Sequence, residues 1–313
     1  MDPDLRRDDV FKGEGIIKSQ RVHKFLSLIR QAPHRHFTFA HGDITPSERA
    51  PPRSLKICLV DKAAHLVKMP VMKIIIFNGS PRGKASNTNI MVEAFSEGAR
   101  EAGAEVENVF LVEKKIHHCM GCFHCWIKTP GKCTIKDDMA GLLEKFNGAD
   151  LIVYATPLYI DNVSGLMKVF MDRLVPLADP HFGPDANGEC RHAFQKGRKI
   201  PKIGVIANCG FPEQSHFQVL RLLFKRIARN MGSELAVEIY RAEGELMKNT
   251  SILLKPTLWN YKRLLAKAGT EVVKNGCLSA ETTSALEKPL ISRGTYIKKA
   301  NKYWDEKLSV TST

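Results

Sequence analysis

The chain has 313 residues, of which 43% are hydrophobic and 26% are charged, and its formal net charge is +14. This length and apolar content suit a globular protein with one large domain or two small ones. The sequence contains no apolar run of about 18 residues, the length that crosses a bilayer, and its charged start lacks the apolar centre of a signal peptide. We therefore expect a cytoplasmic protein with no membrane partner.

The positive charge is concentrated in the last third of the chain, where Lys and Arg exceed Asp and Glu by 10 over residues 181–313. Nucleic-acid binding would require basic residues interleaved with stacking aromatic residues on a recognisable module. The sequence shows no such module, so we expect no nucleic-acid partner. We interpret the basic segment as a solvated helical face or as a docking surface for an anionic cofactor or partner.

Three regions follow one another along the chain. Residues 1–71 are predicted to be an extension, poorly structured or partly helical, with one amphipathic piece over residues 20–30. The compact domain is expected to begin at Met72 and to span residues 72–245, with an inserted loop over residues 178–199. Its predicted strands are 73–78, 106–112, 151–156, 202–207 and 235–240, and its predicted helices are 89–102, 138–147, 164–177 and 217–231. A basic helical C-terminal extension, residues 246–313, follows with helices around 253–268 and 295–307.

The alternation of strands and helices predicts an α/β fold with a parallel, doubly wound sheet and helices on both faces. With the flavodoxin-like strand order 2-1-3-4-5, a ligand binds at the switch point between the first and third strands. The loops after Asn78 and Thr156 are therefore expected to meet at one crevice. The loop 117–135 leaves the same edge after the second strand and is expected nearby.

Four of the eight cysteines lie within fifteen residues in the spacing C-x2-C-x2-C-x7-C, namely Cys119, Cys122, Cys125 and Cys133. Thiolates at intervals of three can converge on one small volume, and the fourth can fold back across the turn at Pro130-Gly131, as a [4Fe-4S] cluster requires. Structural zinc normally uses two separated C-x2-C pairs. The spacing thus favours a [4Fe-4S] cluster, with zinc and free or redox-active thiols as the alternatives.

The loop between the first strand and the first helix, residues 79–88, is rich in hydroxyl and amide side chains. Backbone N–H groups at a helix start can bind a phosphate together with such side chains. The spacing from Gly79 to Lys84 is one residue short of a Walker loop, and no G-x-G-x-x-G is present. A polar turn that only caps the helix is the alternative interpretation.

Four pieces of sequence together resemble the iron-sulfur flavoprotein branch of the NAD(P)H-dependent FMN reductases, over residues 72–245. These pieces are N-G-S-P-R-G-K-A-S-N-T after the first strand, the cysteine set after the second, T-P-L-Y after the third, and the K-x3-D-R of Lys168, Asp172 and Arg173. In that family three loops hold the phosphate and the isoalloxazine ring of FMN. The resemblance implies cofactor contacts from Ser80, Arg82, Ser86, Asn87, Thr88, Pro157, Leu158, Tyr159, Asn208 and Gly210. Many members lack a cluster, so its presence stays open here, and Lys168 and Asp172 are also spaced for a local ion pair.

The resemblance implies an oxidoreductase in which NADPH or NADH reduces FMN, and electrons then pass through a [4Fe-4S] cluster to an unidentified small-molecule or protein acceptor. No side chain is assigned a catalytic role, because hydride transfer to a flavin needs no protein acid or base. The family habit implies a homo-oligomer, a dimer or a tetramer. The alternatives are a cluster-free FMN or quinone reductase and a non-enzymatic, flavodoxin-like electron carrier.

Overall fold

The structure is a computed structural model that describes residues 71–310. The predicted extension, with its helical piece over residues 20–30, lies outside the described residues except for Val71. Within residues 71–310 the chain forms one five-stranded sheet, a separate two-stranded hairpin and the helices that surround them. None of these helices combines the length and the apolar character needed to cross a bilayer.

The central sheet is parallel throughout, with the strand order β2-β1-β3-β6-β7. Its strands are β1 (Lys73–Asn78), β2 (Glu105–Phe110), β3 (Leu151–Pro157), β6 (Lys202–Asn208) and β7 (Leu235–Arg241). Because β4 and β5 belong to the hairpin, this is the order 2-1-3-4-5 of the five sheet strands, and the predicted flavodoxin-like fold class is confirmed. Strand β3 is buried at every position, which explains its continuous apolar run.

The helices cover both faces of this sheet. They are α1 (Asn87–Glu101), α2 (His124–Ile127), α3 (Met139–Asn147), α4 (Gly165–Asp172), α5 (Gln218–Met231), α6 (Lys255–Asn275), α7 (Ala280–Glu287) and α8 (Arg293–Val310). Alternate residues of β1 enter two different buried clusters: Phe77 packs with Phe146 and Phe170, whereas Ile76 packs with Phe95 and Leu265. The alternation places one core on each face of the sheet.

Three predicted elements differ from the structure. The predicted strand 106–112 ends at Phe110, where a 3-10 turn begins, and the predicted helix 164–177 ends at Asp172. The inserted loop predicted over residues 178–199 was wrong, because the segment contains an antiparallel hairpin of β4 (Ala178–Pro184) and β5 (Cys190–Phe194). Prolines and glycines lower the strand propensity of this segment, yet a hairpin that pairs only with itself tolerates them at its edges.

The C-terminal segment contains the predicted helices, as α6 and α8, and the additional helix α7. Helix α6 contributes buried side chains to the core on one face of the sheet, including Leu265 and Val272. It crosses α1 closely: a Cβ atom built on Gly98 would lie 1.9 Å from the carbonyl oxygen of Ala266. In the same way, a Cβ atom built on Gly269 of α6 would lie 2.0 Å from the carbonyl oxygen of Phe95 in α1. This tail therefore covers the sheet as an integral layer.

Candidate functional site

A small polar cavity of about 60 Å³ lies where β1, β3 and β6 end. It is lined by Ser80, Arg82, Ser86, Asn87, Thr88, Pro157, Leu158, Tyr159, Asn208 and Gly210, together with Cys209 and Glu245. The structure thus brings together all the residues that the sequence predicted as cofactor contacts. We call this space the polar cavity.

The loop after β1 presents backbone amides to the polar cavity. Ser86 is the N-cap of α1: its Oγ accepts a hydrogen bond from the Asn89 N–H at 2.9 Å and donates one to the carbonyl of Gly83 at 2.7 Å. The first-turn amides of Asn87 and Thr88 have no acceptor within the helix. The positive end of the helix dipole adds to these donors, so the loop suits an anion such as a phosphate.

The side chains in the polar cavity complete a set of donors and acceptors. Asn208 donates from Nδ2 to the Thr88 hydroxyl at 2.7 Å, and the buried Oδ1 of Asn87 has no partner among the described residues. The exposed guanidinium of Arg82 lies 3.7 Å from the carboxylate of Glu245. Charged and hydroxyl donors fit a phosphate ester, and the unpartnered Asn87 oxygen fits a hydroxyl donor, so the residues present fit FMN.

The phosphate loop is fixed against the start of α4. The hydroxyl of Ser164, the N-cap of α4, donates to the carbonyl of Gly79 at 2.6 Å, and the Gly79 amide donates to Ala155 at 2.8 Å. A Cβ atom on Gly79 would lie 2.8 Å from the Cβ of Met167. Glycine is required here because the loop backbone touches the helix.

An exposed aromatic surface borders the polar cavity after β3. Tyr159 and Asn162 exchange two backbone hydrogen bonds, of 2.9 and 3.1 Å, around a tight turn. The turn holds Ile160 and Asp161 at φ values of 47° and 55°, a left-handed conformation that disfavours a β-branched side chain. Ile160 is 96% exposed, and Tyr159 is 44% exposed. A partly exposed ring beside a polar cavity offers a flat apolar contact for a ligand ring.

A second cavity, of about 300 Å³, lies beside the end of α4 and contains the four clustered cysteines. Its lining includes Cys119, Cys122, Cys125 and Cys133, with Arg173 and Pro176 on the opposite wall. Gly121 and Phe123 have positive φ values, which turn the chain between successive cysteines. The four cysteines therefore line one cavity, which we call the thiol cavity.

The thiols of this cavity influence one another electrostatically. Burial raises the pKa of Cys125 to about 11, and the charges of Cys133, Cys122 and Cys119 add to that rise. In residues 71–310, no three His, Cys, Asp or Glu side chains converge closely enough to hold a single metal ion. Four cysteine thiols that line one cavity are the type and number of donors that an iron-sulfur cluster uses, so these residues fit the cluster by their chemistry.

Arg173, which lines the thiol cavity, forms a buried ion pair with Asp137. The side chains of Arg173 and Asp137 are each 1% exposed, and Arg173 Nη1 lies 2.7 Å from Asp137 Oδ2. Arg173 also donates to the carbonyl of His117 at 2.7 Å and to the Sγ of Cys133 at 3.4 Å. Burial alone would raise the pKa of Asp137, but hydrogen bonds from Arg173, His117 and Met139 hold that pKa below its usual value.

The sequence-based predictions did not include the contact of Arg173 with the thiols or the contact of Glu245 with the phosphate loop. The K-x3-D-R motif does form the expected local pair, since Lys168 Nζ lies 2.6 Å from Asp172 Oδ1 at an exposed position. Arg173, one residue further round the helix, instead faces the thiols, and the motif itself was the signal for it. Glu245 lies in a 3-10 turn after β7 that only the fold brings to the phosphate loop, and no local signal marks it.

Comparison with known proteins points to one family. Residues 72–188 match the family model described as NADPH-dependent FMN reductase. An iron-sulfur flavoprotein from Methanocaldococcus jannaschii is 41% identical over 106 residues, covering 34% of this chain and 53% of the relative. An iron-sulfur flavoprotein from Archaeoglobus fulgidus is 39% identical over 143 residues, covering 46% of this chain and 58% of the relative. The chain thus spans somewhat more than half the length of these curated relatives.

Among solved structures, an FMN-dependent NADH-azoreductase from Bacillus anthracis in complex with FMN aligns with a TM-score of 0.48 at 18% sequence identity. The alignment covers 65% of this chain and 100% of that chain. The family model, by contrast, matches the segment that carries both the phosphate loop and the cysteine set. Residues 72–188 are thus similar in sequence to the NADPH-dependent FMN reductase family, and parts of the chain are similar to curated iron-sulfur flavoproteins.

Proposed function

We propose that the chain is an FMN-dependent NAD(P)H oxidoreductase that passes electrons through FMN and a [4Fe-4S] cluster to a small-molecule or protein acceptor. The observation that carries this proposal is the position of the two cavities at opposite ends of α4. At its start, Ser164 bonds the loop that lines the polar cavity, and directly after its end Arg173 lines the thiol cavity. Eight helical residues span roughly 12 Å, so the two sites are neighbours.

The polar cavity would hold FMN by its phosphate and its ring. The first-turn amides of α1, the hydroxyls of Ser80 and Thr88 and the guanidinium of Arg82 are placed to bind the phosphate. The segment from Pro157 to Tyr159 is placed to contact the isoalloxazine ring. When bound, FMN supplies the chemistry, since it accepts a hydride from a nicotinamide and releases electrons one at a time. The protein residues bind and orient it, and none needs to act as an acid or a base.

The thiol cavity would hold the cluster through Cys119, Cys122, Cys125 and Cys133. Cys125 is the buried member of the set, and Cys133 reaches the cavity from the far side of the loop. Two curated relatives of the chain are described as iron-sulfur flavoproteins, which supports the assignment.

Anaerobic reconstitution tests the proposal. The full chain is incubated with FMN, iron and sulfide, and the bound flavin, iron and sulfide per chain are measured together with NADH and NADPH oxidation by an artificial acceptor. We expect C122S to lose its iron and to keep FMN, because Cys122 lines only the thiol cavity. C190S is the matched control, since Cys190 is exposed in β5 and outside both cavities, and it should keep both cofactors.

The flavin site, the cysteine ligands and the nicotinamide activity can each be refuted by a different measurement. A wild-type chain that binds no FMN refutes the flavin site, and C122S with full iron content refutes the ligand assignment. Flavin without iron would make the chain a cluster-free FMN reductase. Flavin and iron without nicotinamide oxidation would make it an electron carrier.

A further inference from the structure

Arg173 is the only cationic residue among the described residues that line the thiol cavity. We propose that Arg173 is a positioning residue for the cluster: it closes the cysteine loop and raises the reduction potential of the cluster through an N–H···S hydrogen bond to Cys133. This inference rests on the proposed function, because it presupposes that the four cysteines are the ligands.

Arg173 joins the two ends of the cysteine loop, residues 117–137. Arg173 Nη1 donates to the carbonyl of His117 at 2.7 Å, just before the first cysteine, and to Asp137 Oδ2 at 2.7 Å, just after the last. The same carboxylate oxygen accepts the backbone N–H of His117 at 2.9 Å. Both ends of the loop thus meet at one guanidinium, so the protein orders the loop before a cluster binds and lowers the entropy lost on binding.

Arg173 also bonds the sulfur of Cys133. Arg173 Nη2 carries two hydrogens and has two acceptors, Asp137 Oδ1 at 3.1 Å and Cys133 Sγ at 3.4 Å. Both bonds can form at once, because the planar guanidinium presents its donors as a fixed fork. The ion pair is almost fully buried, so neither water nor salt screens the bond to sulfur.

A hydrogen bond to a ligand sulfur changes the redox equilibrium of a cluster. The reduced cluster carries more negative charge on its sulfurs, so an N–H donor stabilises it more than the oxidised form and raises the potential. Asp137 neutralises the charge of Arg173, which leaves the directional N–H···S bond as the main influence on Cys133. Lysine at position 173 would keep the positive charge but has a single donor atom, so it cannot bond Asp137 twice and also reach Cys133.

The experiment compares R173K with R198K in the reconstituted full chain. Arg198 is the matched control, because its Nη2 donates to the carbonyl of Gly131 at 2.9 Å in the same loop and to none of the four cluster thiols. Redox titration followed by electron paramagnetic resonance gives the cluster potential. For R173K we expect about a tenfold lower ratio of reduced to oxidised cluster at a fixed potential, a downward shift of about 59 mV for one electron. R198K should keep the wild-type potential.

A second measurement covers the case in which R173K takes up little iron. Hydrogen exchange of residues 117–137 in the iron-free chain should be faster in R173K than in R198K, while FMN affinity, as the control for the fold, stays the same in both. The inference is overturned if R173K holds its cluster at the wild-type potential, or if the loop exchanges equally fast in the two variants. A wild-type chain without iron overturns the ligand assignment as well, so the two failures are distinguishable.

Discussion

The crossing of α1 and α6 allows a sharp test of whether the C-terminal helices belong to the core. Alanine at Gly98 would place its Cβ 1.9 Å from the backbone oxygen of Ala266, and ordinary contact begins near 3.4 Å. The helices would have to separate by more than about 1 Å, because backbone atoms cannot rotate away as a side chain does. Overpacking of this kind costs about 1–3 kcal/mol or more, and the separation also loosens the buried Leu265 and Val272.

Helix propensity acts in the opposite direction, since alanine is favoured over glycine in a helix by about 1 kcal/mol. We expect G98A to lower the free energy of unfolding by about 1–2 kcal/mol, a drop in Tm of roughly 2–8 °C for a domain of this size. Gly141 in α3 is the matched control, because a Cβ there meets no atom within 4 Å. G141A should therefore stabilise the protein by up to about 1 kcal/mol.

Each variant is unfolded by heat and by urea, and circular dichroism monitors the unfolding. No FMN is added, because a bound ligand would shift the midpoint of unfolding. The double variant G98A/G269A should lose less stability than the two single losses combined, because the first substitution already separates the helices. Equal Tm shifts for G98A and G141A would refute the close crossing, and with it the placement of the C-terminal helices in the core.

Two further predictions concern charged groups beside the cavities. E245Q should bind FMN up to about fivefold more tightly, because removing the carboxylate frees the exposed Arg82 for the phosphate. Riboflavin, which has no phosphate, should gain no affinity. Fluorescence titration measures both affinities, and an equal gain for riboflavin would contradict this reason. D137N should lower the free energy of unfolding by about 3 kcal/mol at about pH 7, because the buried Arg173 loses its counter-ion. The pKa of Asp137 is lowered by folding, so its stabilising contribution is complete above the unfolded pKa of about 3.9 and is lost as the pH falls through the folded value. The difference in urea midpoint between the wild type and D137N should therefore shrink as the pH falls below about 4. A difference that stays constant would show that protonation of Asp137 does not remove its stabilising contribution.

The elements that could be predicted from the sequence are those with a local signature. Strand β1 was predicted with its observed limits, because a strand buried on both faces needs an unbroken apolar run. The phosphate loop was visible from its hydroxyl and amide side chains between a strand and a helix, and the cysteine set from its spacing. The switch point of a parallel sheet then indicated which loops would meet, and the polar cavity is lined by residues of those loops.

The sequence alone therefore determined the order of the five strands of the central sheet, and the loops that carry the candidate cofactor contacts. Only the tertiary structure decided the contacts between groups far apart in the chain: Arg173 with Cys133, 40 residues away, and Gly98 against α6. The physical reason is that hydrophobic periodicity and turn residues act over a few neighbouring positions. The pairing of a buried cation, or the approach of two helix backbones, depends instead on how the sheet places distant segments in three dimensions.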